Sequence, residues 1–143
     1  MILYTAQISQ YRGLREANIP YIDTTIKSGD KHLAPTWEMV SRHKAGTLTD
    51  QGYVDLYIPM MRASYRRYDA HWRKIALMDK VALMCYCPHG IHSPDTHPNF
   101  CHRFVLVELF ERICKHNGIP FTYAGEWVRG EVLMSKSPRW LTK

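Results

Sequence analysis

The sequence has no apolar run long enough to cross a bilayer, and it lacks the common catalytic signatures. Its longest apolar stretches have the length of a strand, whereas a membrane-spanning helix needs about 20 apolar residues. Residues 1–4 show neither the basic leader nor the apolar core of a secretory signal, so we expect a cytoplasmic protein without a membrane partner. Gly-x-Gly-x-x-Gly, Walker, His-Glu-x-x-His, Gly-x-Ser-x-Gly and Cys-x-x-Cys patterns are all missing. No motif of these kinds therefore assigns a reaction.

Cysteine and acidic residues are both sparse. The 143 residues include 4 cysteines, and 19 basic residues outnumber 13 acidic ones, which gives a net charge of +6. In the cytoplasm thiols stay reduced, so three of the cysteines are candidates for metal binding or reactivity before disulfides. The fourth, Cys114, lies on an apolar helical stripe and is interpreted as a core residue. The moderate positive charge suits anionic partners such as nucleotides or nucleic acid without requiring them.

Short apolar runs alternate with amphipathic segments, which is typical of an α/β domain. We expect a single domain over residues 1–143, in which about 127–143 form a peripheral tail. The expected architecture is a small Rossmann-like fold, with a mainly parallel sheet of about four strands and helices packed on it. Trp37 and Glu38 open a helix after the second strand and could reach a site at the sheet edge, but Trp37 is interpreted as a core anchor of that helix. The predicted strands are 2–6, 19–26, 80–87 and 119–124, and the predicted helices are 35–43, 54–75 and 104–116.

The most informative segment runs from residue 81 to residue 110. A buried strand ends in two thiols, a long polar loop follows, and a third thiol precedes a histidine and an arginine at the start of an apolar helix. In parallel sheets ligands bind beyond the carboxyl ends of the strands, and a helix start attracts anions. This rule predicts one site near the sheet edge, made of residues from three strand ends and the helix start: Thr5, Gln7, Asp23, Thr24, Cys85, Cys87, Cys101, His102 and Arg103.

Several interpretations of that site remain open. In the first, Arg103 and the helix start hold an anionic small molecule such as a nucleotide, Asp23 accepts a hydrogen bond from a ligand hydroxyl, and Cys101 or Cys85 acts as a nucleophile. In the second, zinc is bound by Cys85, Cys87 and Cys101. Its fourth ligand would come from a histidine, with His97 the assigned candidate and the alternatives being His89, His92 and His102. In the third, Cys85 and Cys101 come together at the sheet edge for thiol redox chemistry, although no Cys-x-x-Cys pattern supports it. In the fourth, the thiols are packed, Arg103 pairs with an acid, and the protein is a non-catalytic interaction protein.

The predicted helix 54–75 carries an aromatic stripe and, on a different face, Arg62, Arg66 and Arg73. Its period of three and four residues is that of an amphipathic helix, with a bend expected at Pro59. Arginines beside tyrosines could stack on and neutralise a nucleic-acid strand, in which case the protein would be a zinc-stabilised nucleic-acid-binding module. They could equally form an ordinary charged outer face.

Four segments resemble the bacterial and phage family catalogued as domain of unknown function 488. They are Ile22-Asp23-Thr24-Thr25, Leu33-Ala34-Pro35-Thr36-Trp37-Glu38-Met39, Val81-Ala82-Leu83-Met84-Cys85-Tyr86 and Phe100-Cys101-His102-Arg103. The resemblance implies a compact Rossmann-like α/β domain and no particular activity. It also implies a bacterial or phage source, so the expected compartment would be the host cytoplasm for a phage protein. The loop between Cys87 and Cys101 is longer here than in the family and richer in histidine.

Overall fold

The structure is a computed structural model, and it describes residues 1–86, 100–133 and 140–141. The five strands are β1 (Ile2–Gln7), β2 (Tyr21–Asp23), β3 (Lys80–Cys85), β4 (Thr122–Val128) and β5 (Glu131–Leu133). The helices are α1 (Tyr11–Glu16), α2 (Trp37–Lys44), α3 (Asp50–Arg67), α4 (Asp69–Ala76) and α5 (His102–His116), and one 3₁₀ turn (Ile8–Gln10) precedes α1. None of the described helices is long and apolar enough to cross a membrane.

The strands form one sheet in the order β2-β3-β1-β4-β5. Four of them run parallel, and only β5 pairs antiparallel, with β4. The prediction of an α/β domain with a mainly parallel sheet is therefore confirmed, with five strands. Because Gln7 pairs with Cys85 and Asp23 with Met84, the carboxyl ends of β1, β2 and β3 meet at one edge.

Helices cover both faces of the sheet, and the alternation along β3 shows which residues face which layer. Val81 and Leu83 join the larger core, which contains residues of α3, α4 and α5 such as Trp72 and Phe110. Ala82 and Met84 join the smaller core beneath α1. Since side chains of a strand alternate between the two faces, Cys85 lies on the same face as Leu83 and contacts the start of α5.

The predicted helix 54–75 is two helices, α3 and α4, which meet at Tyr68. Pro59 lies inside α3, and the chain leaves the helical conformation at Tyr68, whose φ is −123° and ψ is 39°. The reason for the break is tertiary. The break turns α4 so that Trp72 is buried. The Trp72 indole nitrogen donates a hydrogen bond to Ser64 Oγ at 3.1 Å. Thr49 is the N-cap of α3, because its side chain accepts from the Gly52 amide at 3.0 Å.

Two boundaries near the sheet edge differ from the sequence prediction. The third strand ends at Cys85, and Cys87 lies outside the described residues. The fourth strand begins later and runs to Val128, and β5 follows in the segment expected to be a tail. Trp140 and Leu141 donate their amides to the Glu108 carboxylate and pack against the larger core, so this end of the chain contacts α5.

Candidate functional site

The end of β3 and the start of α5 bring two thiols and an imidazole together. Cys85 is the last residue of β3, Cys101 is the N-cap of α5, and His102 is its first residue. The two sulfur atoms and one imidazole nitrogen all lie within 4.8 Å of one another. All three side chains are buried. The two sulfur atoms are in contact although the Cα atoms of Cys85 and Cys101 are 7.8 Å apart.

Hydrogen bonds that His102 donates to Thr24 fix the orientation and the tautomer of the imidazole ring. Its Nε2 lies 2.9 Å from Thr24 Oγ1 and 3.0 Å from the Thr24 carbonyl oxygen. The Thr24 hydroxyl donates its own proton to the Met84 carbonyl at 2.9 Å, so both of these Thr24 oxygens accept from Nε2–H. The other nitrogen, Nδ1, keeps its lone pair and lies 3.8 Å from Cys101 Sγ.

Burial keeps His102 neutral near pH 7. The removal of the ring from water lowers the pKa of His102 to about 4, an effect that the Thr24 hydrogen bond opposes and the nearby Arg103 cation reinforces. The neutral ring with a free Nδ1 lone pair can accept a proton from a thiol or coordinate a metal ion.

Arg103 is wholly buried and reaches the site through a sulfur atom. Its Nε and Nη2 donate to the two carboxylate oxygens of Glu126 at 3.2 and 2.5 Å. Its Nη1 donates to Cys85 Sγ at 2.8 Å, and the guanidinium carbon lies 4.6 Å from the centre of the Phe104 ring. This contact places a cationic donor directly against the Cys85 sulfur atom. Glu126 therefore holds Arg103, the predicted anion-binding residue, beside the thiols. Glu126 is not among the residues predicted for the site.

A bulge in β4 turns Glu126 toward α5. Leu3 pairs with Tyr123 but Tyr4 pairs with Gly125, so one extra residue separates the two halves of the pairing. Glu126 then stands beside Thr5, on the face of the sheet that α5 covers. Gly125 has φ +123°, and a Cβ at that position would lie 2.8 Å from the Leu133 carbonyl oxygen, so the bulge requires glycine.

Asp23 stabilises a turn rather than standing free at the strand end. Its carboxylate accepts from the Thr25 amide at 2.8 Å and from Ser28 Oγ at 2.5 Å. Gly29 closes the same turn so tightly that a Cβ there would lie 2.4 Å from the Asp23 carbonyl oxygen. Of the predicted residues of the second strand, Thr24 is the one that contacts the thiol and imidazole cluster, through His102.

The cluster lies against a cavity of about 710 Å³, which is within the range of small-molecule sites. Its other lining residues include two lysines, Lys27 and Lys44, and several aromatic side chains: Trp37, Tyr53, Tyr86 and Phe100. The interpretation of Trp37 as a core anchor is wrong, because its side chain is 58% exposed. The sequence offered no signal for either lysine, since Lys27 lies in a turn and Lys44 belongs to a basic helix end, which is common in surface helices.

Other predicted residues lie outside the described parts of the chain or away from the cavity. Cys87, His89, His92 and His97 lie in 87–99, outside the described residues. The three arginines of the predicted nucleic-acid face are divided between two helices. Arg73 of α4 pairs with Asp69 at 2.9 Å, whereas Arg62 and Arg66 of α3 line a separate groove with Arg112.

Comparisons of the chain with protein-family models, with curated proteins and with solved structures found no match. Membership of the domain of unknown function 488 family therefore stays a prediction.

Proposed function

We propose that the protein binds a small anionic molecule with a planar ring, best represented by a nucleotide or nucleotide derivative, in the cavity at the carboxyl edge of the sheet. Cys85 and Cys101 at its floor would supply reactivity or metal ligation. The observation that carries the proposal is the combination in one cavity of two lysines, exposed aromatic side chains and the buried cluster of thiols and imidazole.

Charge supports an anionic ligand. Lys27 and Lys44 are exposed, and neither forms an ion pair with an acidic residue in the described parts of the chain. A lysine without an acidic partner beside a cavity attracts phosphate or carboxylate as a point charge. In this proposal the lysines replace Arg103 as the groups that contact the anion, because the Arg103 guanidinium already donates to Glu126 and to Cys85.

The aromatic side chains support a planar ring. Trp37 and Tyr86 are 58% and 53% exposed, although both line the cavity. Exposed aromatic faces at a cavity are costly in water and stack well on a base, with about 1–3 kcal/mol gained per base. Phosphate contacts at Lys27 or Lys44 and base stacking at Trp37 or Tyr86 would together account for the lining of the cavity.

Isothermal titration of the full chain with AMP, adenosine and inorganic phosphate tests this proposal. We expect AMP to bind more tightly than either adenosine or phosphate, because it alone meets both the lysines and the aromatic rings. Loss of a charge-assisted contact costs about 1.5–3 kcal/mol, so Lys44→Gln or Lys27→Gln should weaken AMP binding at least about tenfold. Lys74→Gln, on the exposed surface of α4 and outside the cavity lining, is the matched control and should bind as the unmodified protein does.

Two results would overturn the proposal. The first is no heat with AMP, GMP, CMP or UMP at millimolar concentrations with folded protein. The second is AMP binding that is unchanged in a Lys27→Gln/Lys44→Gln double variant, which would place the nucleotide elsewhere on the protein.

A further inference from the structure

We infer that Cys85, Cys101 and His102 form a three-ligand site for zinc, with the remaining coordination position directed toward the cavity. The inference rests on the proposed function only for that last point, the direction of the open position. The set of two thiolates and one imidazole suits a borderline-soft divalent cation, and three protein ligands with one open position are the pattern of reactive rather than purely structural zinc sites.

The ligand atoms lie close enough together to share one ion, although the two sulfur atoms must separate to hold it. The two sulfur atoms and the ring nitrogen lie within 4.8 Å of one another, all buried, and the two sulfur atoms are in contact. Zinc bonds of about 2.3 Å to sulfur and about 2.0 Å to nitrogen place tetrahedral ligands roughly 3.5–3.8 Å apart. Zinc binding would therefore move the two sulfur atoms apart, by rotation of the Cys85 and Cys101 side chains.

The backbone spacing favours an ion over a disulfide bond. The Cα atoms of Cys85 and Cys101 are 7.8 Å apart, whereas disulfides span about 4.4–6.8 Å. A covalent bridge would therefore need backbone movement. Neither backbone is placed to move easily, because Cys85 pairs with Gln7 at the end of β1 and Cys101 caps α5. A bound ion would hold the sulfur atoms farther apart than a covalent bond does, which suits the 7.8 Å between the Cα atoms.

The hydrogen bonds of His102 are those of a metal ligand. Zinc-binding histidines usually donate their second ring N–H to a carbonyl or a carboxylate, which fixes the ring and the tautomer. Here Nε2–H donates to the Thr24 carbonyl and hydroxyl, and the Nδ1 lone pair points to the sulfur side of the cluster.

The surrounding charges also fit. Zinc binding would release the two thiol protons to solvent, and the two thiolates would balance the charge of the ion. Arg103 donates to Cys85 Sγ at 2.8 Å and supports a thiolate at that position. Glu126 in turn neutralises Arg103, so the site and its immediate partners carry no net charge.

Elemental analysis and cobalt substitution test the inference. The full chain, purified untagged and under reducing conditions, should contain about one zinc per chain. After removal of zinc with a chelator, titration with Co²⁺ should give thiolate-to-cobalt charge transfer and the visible bands of a tetrahedral ion, saturating at one equivalent. Cys101→Ser should lose much of the charge-transfer intensity. Cys114→Ala is the control, because Cys114 is buried elsewhere in the core and its loss should leave the spectrum unchanged.

If the cysteine variants do not fold, His102→Gln and the unmodified protein still decide the matter. His102→Gln retains both thiols and should bind Co²⁺ at least about tenfold more weakly. Reduced, folded protein that contains no zinc and gives no cobalt spectrum would overturn the inference. So would a mass two hydrogens below the reduced value in freshly purified protein, with Cys85 and Cys101 joined in one peptide after digestion.

Different experimental results would overturn the inferred zinc site and the proposed nucleotide binding. Zinc and cobalt binding without AMP binding would retain the metal site and remove the nucleotide proposal. AMP binding that depends on Lys27 and Lys44 in protein without a cobalt spectrum would retain the pocket and remove the metal site. If both hold, AMP should perturb the visible bands of the cobalt protein, since the open coordination position faces the cavity.

Discussion

Arg103 and Glu126 form a completely buried ion pair that joins the first turn of α5 to β4. Both side chains have 0% exposure, and two parallel hydrogen bonds connect them. A third hydrogen bond connects the same guanidinium to Cys85 at the end of β3. One side chain therefore ties α5 to two strands, and this fixes where Cys101 and His102 lie relative to the sheet.

Substitution of Glu126 should cost much more stability than substitution of a surface acid. Glu126→Gln removes the carboxylate from the buried guanidinium, and breaking a buried pair costs about 3–5 kcal/mol of unfolding free energy. Asp69→Asn in the exposed pair with Arg73 is the control and should cost less than about 1 kcal/mol. Urea unfolding of both variants measures the difference. Equal losses would show that the buried pair does not hold α5 against the sheet.

Thr24 should influence the cluster through His102. Thr24→Val removes the hydroxyl that accepts from Nε2–H and donates to Met84, but it keeps the Thr24 carbonyl as an acceptor. We expect a loss of about 1–2 kcal/mol in stability and cobalt binding weakened about tenfold. Thr5→Val makes the same chemical change at an equally buried threonine, which bonds to Tyr123 instead. It should lower stability without weakening cobalt binding, and a parallel effect of both variants on cobalt would remove the specific role of Thr24.

The turn between Asp23 and Asp30 should not tolerate a side chain at position 29. In Gly29→Ala the new Cβ would meet the Asp23 carbonyl oxygen at 2.4 Å and the Thr25 amide at 2.6 Å, both of them backbone atoms. We expect a cost of about 1–3 kcal/mol and weaker AMP binding, because the same turn carries Lys27 to the cavity.

Gly13→Ala is the matched control for that substitution. A Cβ at Gly13 would meet only the Trp127 indole nitrogen at 3.4 Å, and alanine favours the helical conformation of α1 by up to about 1 kcal/mol. Its unfolding midpoint should be unchanged or slightly raised. Two glycine variants with the same midpoint would contradict the tight geometry of the 23–30 turn.

Tyr123 should make the protein less stable at high pH. Burial raises the pKa of Tyr123 from 10 in the unfolded chain to about 12 in the folded protein, an effect that its hydrogen bond to Thr5 opposes. Because the folded value is the higher one, this contribution is complete below pH 10 and is lost as the pH rises from 10 to 12. A shift of about two pKa units corresponds to about 3 kcal/mol. Burial also raises the pKa of Tyr57 well above 10, so Tyr57 acts in the same direction.

Tyr123→Phe isolates the first of these two contributions. The variant should lose about 1 kcal/mol near neutral pH, since Thr5 loses its partner, and its stability should then fall less steeply between pH 10 and pH 12. Denaturant unfolding at pH 8, 10 and 11.5 provides the comparison. Parallel curves for the two proteins would contradict the assignment of the alkaline slope to Tyr123.

Features set by local sequence were predictable. The continuous apolar run of β3 and the end of α5 at His116 both depend on residues within one strand or one helical turn. The convergence of Thr24, Cys85, Cys101 and His102 also followed from the sequence. Parallel strands and their following helices place their ends at one edge of a sheet, whatever the details of the packing.

Features set by contacts between distant segments were not predictable. The break at Tyr68 depends on the burial of Trp72 against the larger core, and nothing in the local sequence marks it. The pairing of Arg103 with Glu126 depends on the bulge at Gly125, which determines the face of β4 on which the acid lies. A one-residue shift in a strand exchanges its two faces, so this choice exists only in the folded sheet.

The sequence by itself determined the α/β architecture and the chemistry at its sheet edge, because periodicity and strand-end residues are local properties. Only the tertiary structure decided what surrounds that chemistry. It placed Arg103 beside a sulfur atom and Lys27 and Lys44 at the cavity, and it left the Nδ1 lone pair of His102 directed at the thiols. These contacts join residues that are far apart in the chain. Their interaction energies depend on the removal of the charged and polar side chains from water and on the partners that packing gives them.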